Sequence, residues 1–273
     1  MLVALRSRRQ IAPFTLHRPV SAAEALALRA EPGSSAFLAG GIDLIDWLKH
    51  GHPVDRVIRL DGIPGLTDIA GDATSLRIGA MATHAAIAAS PLIRQVLPDL
   101  GALWLGVANP RVRFTGTIGG NVMAGKPDYD GLPALMALGA EADIAMGHPI
   151  NIDGLGAGSL VSGFVVPEPA RLRLFADRSL RPAVSVWLSL SEANGRVAAL
   201  RVAVVMAHPK PVCVSLPVDL PVASLGAAAA AIADQVAGRL PEPMSDGRAG
   251  ATYRRGMVRV LTRRILLRAG DSA

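Results

Sequence analysis

Cys213 is the only cysteine in 273 residues, so the chain holds neither a disulfide framework nor a thiolate metal site. It lies in a Val-Cys-Val run, which reads as a buried, inert thiol in a reducing compartment. Aromatic residues are scarce at 4%, with Tyr129 and Tyr253 as the two tyrosines. Nucleic-acid binding calls for basic residues clustered with stacking aromatics. The net charge of +6 is therefore read as a solvated, arginine-rich face able to steer docking of an acidic protein partner. No apolar run reaches membrane-spanning length. Met1–Arg9 carries three arginines without a following apolar segment, so no secretory leader is expected and the location is read as cytoplasmic. No His, Cys, Asp and Glu gather at metal-ligand spacing, and no local motif arranges Ser-His-Asp or Cys-His. Neither a metal site nor an obligatory acid–base residue is expected.

What is abundant is Ala, Val and Leu, within a hydrophobic content of 51%, enough for a substantial core in one to three domains. Residues 11–60 read as strand, helix, strand, helix, strand. Phe14–His17 is extended, and Ser21-Ala22-Ala23-Glu24 is a capping box. Ser35–Leu38 is a strand, Asp43–His50 a helix stopped by Gly51 and Pro53, and Val57–Leu60 a third strand. Alternation of this kind favours a small parallel α/β unit.

A second unit follows from Asp61. Leu66–Ile69 and Leu76–Ile78 flank a Gly71-Asp72 turn. Helical segments run from Thr83 to Ala89 and from Pro91 to Trp104, and again over Leu132–Leu138 up to Gly139. Ala142–Met146 and Leu160–Val166 read as strands. At Pro167-Glu168-Pro169 the composition changes. Beyond it, Ala183–Leu190 and Val197–Met206 are strands joined through Asn194-Gly195, a strong hairpin signal. Leu225–Val236 is a helix. A last segment places Tyr253, Met257, Val260, Leu261, Ile265 and Leu266 at helical spacing, with arginines opposite. The expected units are 1–60, 61–167 and 168–273.

Function concentrates in Asn109–Pro133, which holds five glycines, three prolines and two asparagines in twenty-five residues. It lacks an apolar period and reads as a long functional loop. Within it Thr117-Ile118-Gly119-Gly120-Asn121 has the composition of an anion-binding nest, with paired glycines and amides freed for a ligand. Upstream, Phe37-Leu38-Ala39-Gly40-Gly41-Ile42-Asp43-Leu44-Ile45 is a strand, a Gly-Gly turn and a helix start, whose N-terminus suits phosphate. Each alone is compatible with plain turn chemistry. Together they read as two halves of a diphosphate cradle. The spacing is not the G-x-G-x-x-G of a Rossmann fingerprint.

These residues resemble the FAD-binding subunit of the molybdenum hydroxylases, the family of the carbon monoxide dehydrogenase medium subunit and the xanthine dehydrogenase flavin domain. The resemblance rests on A-G-G-x-D-L at Ala39–Leu44, T-I-G-G-N at Thr117–Asn121 and the acidic residue ahead of Leu132-Pro133. It is extended by Arg77–His84, similar to the family's I-G-A-x-T-T-H run, and by Ala251-Thr252-Tyr253-Arg254-Arg255, similar to its A-x-Y-R-R.

The resemblance covers nearly the whole chain and implies an α+β fold: a two-part FAD-binding domain of the PCMH/VAO type, followed by an antiparallel sheet with helices on one face. It implies FAD as cofactor and a hetero-oligomer with iron–sulfur and molybdopterin subunits. Electrons would pass to a small-molecule acceptor such as NAD, a quinone or oxygen. For the site it implies one wall from Ala39, Gly40, Gly41, Ile42, Asp43 and Leu44, and another from Thr117, Ile118, Gly119, Gly120 and Asn121. Asp130 would bond a ribityl or ribose hydroxyl. Thr83, with His84 beside it, would sit near the flavin, and Val107 and Ala108 would contact it through backbone. Asp43 also reads as a cap of its own helix.

Several residues depart from the family pattern. Ile42 follows Gly-Gly, Phe114 replaces an asparagine, Lys126 replaces an acidic residue, Gly131 is inserted, and Pro149–Val161 is short. They keep open two other readings: a stand-alone flavoprotein of a pterin or one-carbon pathway, and a flavin-free assembly subunit.

Overall fold

The opening alternation folds as three parallel strands with two helices. The computed structural model describes residues 11–156, 158–178, 182–205 and 207–271, and the basic Met1–Arg9 stretch and the Met206 strand end lie outside them. The first elements are β1 (Thr15–His17), α1 (Ala22–Ala30), β2 (Ser35–Leu38), α2 (Ile42–Lys49) and β3 (Arg56–Arg59). The strands form a parallel sheet in the order β1-β3-β2. Ser21 caps α1, its side chain accepting from the Glu24 amide. The reciprocal arm lands one residue early, because the Glu24 carboxylate accepts from Val20 N at 2.8 Å instead of from Ser21. α1 and β3 do not close a core of their own. Ala25, Ile58 and Leu60 bury against Leu66, Met81 and Leu160 from farther along the chain.

The next elements are β4 (Ile69–Gly71), β5 (Ser75–Gly79), α3 (His84–Ala89), α4 (Pro91–Val96), α5 (Pro98–Trp104), α6 (Pro110–Thr115), α7 (Ile118–Met123), α8 (Gly131–Leu138), β6 (Glu141–Ile144), β7 (Ile150–Asn151) and β8 (Val161–Pro167). The strands form an antiparallel sheet in the order β4-β5-β8-β6-β7. The helices pack on it through Leu76, Ile78, Trp104, Leu135 and Phe164, all fully buried.

The glycine-rich stretch, expected as a loop, contains two six-residue helices, α6 and α7. Each is defined by its cap more than by its interior. The Asn109 side chain accepts from Val112 N with Pro110 at the first position, and the Thr117 hydroxyl accepts from Gly120 N. Such caps offset low helix propensity over a single turn.

The last elements are β9 (Leu172–Asp177), β10 (Ser185–Ala193), β11 (Arg196–Val205), β12 (Val212–Pro221), α9 (Leu225–Arg239) and α10 (Ala251–Asp271). The four strands are antiparallel in the order β12-β11-β10-β9. The Asn194-Gly195 turn is present, both residues at positive φ (52° and 71°). Two of the strands, β9 and β12, go beyond those expected from the sequence. β9 directly follows the proline-rich boundary. β12 contains Pro217, tolerated because β12 is an edge strand and Pro217 sits beside a register shift.

Helices α9 and α10 cover one face through Val186, Leu188, Val236 and Ile265. The opposite face, carrying Trp187 and Ala203, receives α8: Ser189 Oγ donates to Ala137 O at 2.5 Å and Arg201 Nε to Met136 O at 3.2 Å. In α10 the buried stripe is Arg254, Val258, Leu261, Ile265 and Leu266. Tyr253 and Val260, expected on that stripe, are exposed. Among the described residues no helix is long and apolar enough to cross a membrane.

Candidate functional site

Two glycine corners from distant segments of the chain, one after β2 and one opening α7, meet at one cleft of about 1140 Å³. The first follows β2. Gly41 adopts φ +77° as the N-cap of α2, a conformation that only glycine enters without strain. Gly40 abuts the α6–α7 junction: a Cβ on it would overlap the Thr115 carbonyl oxygen. Its missing side chain thus admits neighbouring backbone. No side chain caps α2, so its first-turn amides keep the unsatisfied N–H groups that every helix start presents.

The second corner behaves differently from expectation. Ile118 N donates to Ala82 O at 3.0 Å, Gly119 N to Ala80 O at 2.8 Å, Gly120 N to Thr117 Oγ1 at 3.1 Å and Asn121 N to Thr117 O at 2.9 Å. These four amides are committed within the protein and form no nest. A Cβ on Gly119 would stand 2.6 Å from Ala80 O, so this glycine admits the turn that follows β5. What Gly119 and Gly120 offer the cleft is a smooth, side-chain-free wall.

Of the expected residues, Ala39, Gly40, Gly41, Ile42, Asp43, Leu44, Val107, Ala108, Thr117, Gly119, Gly120, Asn121 and Asp130 line this cleft. Thr83 and Ile118 do not. Thr83 caps α3 by accepting from Ala86 N, and bridges to Thr117 behind the wall. Ile118 is fully buried in the core. Asp43 does not cap its helix; its carboxylate accepts from Tyr129 Oη at 2.7 Å and pairs with Lys126. Asn121 Oδ1 accepts from Gly131 N at 2.8 Å, which leaves its amide donors available. The carbonyls of Val107 and Ala108 accept from Arg113 Nη1 at 2.9 and 3.2 Å, and Ala108 sits at φ 47°, an uncommon region for a non-glycine.

Two groups that sequence reasoning underrated shape the floor. Arg178, just after β9, places Nη1 3.1 Å from Asp130 Oδ2 and donates from Nη2 to Gly106 O at 2.9 Å. Its guanidinium lies 5.9 Å from the Trp187 ring centroid. A single arginine in a basic chain carries no sequence signal. Burial pushes the Asp130 carboxyl up to about 6, against the opposing pull of Arg178. His84 is 2% exposed, and its Nδ1 accepts from Trp104 Nε1 at 3.1 Å. Indole only donates, so the neutral ring carries its proton on Nε2. Burial holds its pKa down at about 4.

These features fit a flavin dinucleotide. The cleft is as large as the upper end of ordinary ligand pockets, roughly 300–1,000 Å³. One end presents an uncapped helix start, and Asp130 adds a partly desolvated acceptor. Residues 12–150 match the family described as the FAD binding domain in molybdopterin dehydrogenase. The chain belongs to this family.

Over 94% of its length the chain is 30% identical to the carbon monoxide dehydrogenase medium chain of Afipia carboxidovorans, spanning 96% of that protein. Over 92% it is 29% identical to the nicotine 6-hydroxylase medium subunit of Paenarthrobacter nicotinovorans, spanning 95% of it. Among solved structures, quinoline 2-oxidoreductase from Pseudomonas putida 86 superposes with a TM-score of 0.81 at 25% identity, over 97% of this chain and 99% of that one. Carbon monoxide dehydrogenase from Hydrogenophaga pseudoflava gives 0.80 at 25% identity, over 96% and 99%. As a member of the family, the chain is an FAD-binding oxidoreductase subunit of the molybdenum hydroxylase type. The relatives are subunits of oxidoreductases by name. They lend nothing to a stand-alone pterin or one-carbon flavoprotein, or to a flavin-free assembly subunit.

Proposed function

We propose that this chain is the electron-transferring flavin subunit of a cytoplasmic hetero-oligomer. It would take electrons from a molybdopterin subunit through an iron–sulfur subunit and deliver them to a small-molecule acceptor such as NAD, a quinone or oxygen. The observation that carries this reading is the single cleft into which both glycine corners open, with the α2 N-terminus at its wall. Bound flavin supplies the redox chemistry; the protein binds and orients it. The first-turn amides of α2, from Ile42 to Leu44, hold the diphosphate, since a helix start combines free N–H groups with positive potential. Gly119 and Gly120 let the cofactor lie flat against backbone. Asp130 accepts from a sugar hydroxyl, and Val107 and Ala108 border the flavin ring. We take residues up to 60, 61–167 and 168 onward as the structural units, with the cleft between the first two and Arg178 reaching in from the third.

Purified protein should be yellow or take up FAD with flavin absorbance bands, and co-expression with its genomic neighbours should recover iron–sulfur and molybdopterin chains. A colourless protein that binds no FAD would overturn the reading. Flavoprotein isolated without partners under native conditions would overturn the assembly.

A further inference from the structure

The first turn of α2 carries a conflict of charge. Its open amides suit a diphosphate, yet Asp43 stands in that same turn and lines the same cleft. A carboxylate at a helix start is favourable while it faces only the helix. Beside a doubly charged anion it is repulsive, at distances where screening is incomplete.

The conflict is answered by the segment that connects α7 to α8. It leaves α7 through Gly125 at φ +63° and brings two side chains onto the Asp43 carboxylate. Lys126 Nζ lies 2.5 Å from Oδ1, and Tyr129 Oη donates to the same oxygen at 2.7 Å. The pair is itself joined: Lys126 Nζ donates to Tyr129 Oη at 3.4 Å and sits 5.3 Å from the ring centroid. Of the other acids lining the cleft, Asp130 pairs with Arg178 at 3.1 Å and Asp46 with His50 at 3.6 Å, while Asp128 makes no ion pair among the described residues. Lys126 is therefore committed to Asp43 and stands in the cleft as half of a neutral pair.

We propose that Lys126 and Tyr129 are positioning residues, Lys126 cancelling the Asp43 charge and Tyr129 holding the carboxylate by a hydrogen bond, so that the α2 N-terminus can accept a diphosphate. The proposal rests on the FAD reading above and concerns how the site tolerates its own acid. It requires the value of Lys126 to depend on Asp43.

The test is a double-mutant cycle on the FAD dissociation constant, measured by flavin fluorescence on apoprotein at fixed ionic strength. Lys126→Met alone should weaken binding about tenfold or more, the factor that 1.4 kcal/mol represents. Tyr129→Phe should weaken it in the same direction by less. Asp43→Asn should bind at least as tightly as the unaltered protein. In the Asp43→Asn background, Lys126→Met should cost no more than about twofold, the scatter of independent sites. Denaturant unfolding of each apoprotein separates loss of binding from loss of fold. Equal losses from Lys126→Met in both backgrounds would mean that the ammonium contacts the cofactor directly, and would overturn the proposal; so would no loss in either. Failure of the unaltered protein to bind FAD would instead remove the reading of the site itself.

Discussion

Gly40 lies flush against Thr115: a Cβ on it would overlap the Thr115 carbonyl oxygen and stand 3.0 Å from the Gly116 Cα. This contact brings the two glycine corners together, because it lets the turn after β2 close on the junction between α6 and α7. Gly40→Ala should therefore force the walls apart, costing about 1–3 kcal/mol of overpacking together with FAD uptake. Gly41→Ala is the comparison. Its strain is local, from φ +77°, with Leu38 Cδ1 the nearest atom at 3.4 Å, and it should cost about 1–2 kcal/mol. Urea unfolding and FAD titration of both variants separate the two effects.

Asp130 makes stability depend on pH in an unusual direction. Its carboxyl is raised from 3.8 to about 6 by burial, so the folded state holds a proton that the unfolded state has released. Its contribution is greatest below pH 4 and is lost as pH rises through 6. The loss approaches roughly 2–3 kcal/mol, since each tenfold change in acid strength is worth about 1.4 kcal/mol. Asp130→Asn retains an acceptor for Arg178 and cannot titrate. The unaltered apoprotein should lose stability relative to this variant between pH 4 and 6, while the variant binds FAD more weakly. A flat difference across that window would refute the assignment.

His84 works with the opposite sign. Burial lowers its pKa from 6.5 to about 4, so the unfolded state binds the proton first. Stability is then lost as pH falls from 6.5 toward 4, by on the order of 3 kcal/mol. His84→Gln should remove that slope. Trp104→Phe strands the buried Nδ1 acceptor and should cost about 1–3 kcal/mol at neutral pH. The Asp130 and His84 slopes oppose each other over an overlapping window, so each single variant should tilt the profile in its own direction.

Arg254 is fully buried, with Nη2 2.6 Å from Asp246 Oδ1 and Nη1 donating to Ala183 O at 3.0 Å. Arg259 on the same helix pairs with Asp234 in solvent. Arg259→Met should change stability by less than about 1 kcal/mol, as exposed pairs do. Arg254→Met should cost several times more, because it leaves the half-buried Ala183 and Ala249 carbonyls and the Asp246 carboxylate without their shared donor. Thermal unfolding of the two variants at one pH gives the ranking.

The first unit is legible in the sequence because its signals are local: Ser21 before a helix, Gly51 and Pro53 after one, and apolar strands between. The hairpin at Asn194-Gly195 is legible for the same reason. The glycine corners are legible as a pair, but their physics is not. Glycines at 40 and 119 admit backbone, a tertiary fact with no imprint on spacing; the amides of Ile118 and Gly119 turn inward because the turn after β5 supplies the Ala82 and Ala80 carbonyls, and those of Gly120 and Asn121 bond back to Thr117. The helices α6 and α7 are hidden by glycine and proline content, since a cap can define one turn where propensity does not. β12 is hidden by Pro217, which a strand tolerates only at an edge, and edges are set by topology. Tyr253 and Val260 mislead because Arg254, read as solvated, takes the buried place. Arg178 leaves no local trace, since its partners lie in segments far away along the chain.

The three tryptophans give the cleft a built-in optical gauge. Trp47 lines its rim, stacked on His52 at 4.8 Å. Trp187 lies beneath Arg178 and meets Trp104 edge-on at 6.4 Å. Indole emits where flavins absorb, so filling the site should dim the protein's own ultraviolet emission, and occupancy can be followed without a label or a reaction.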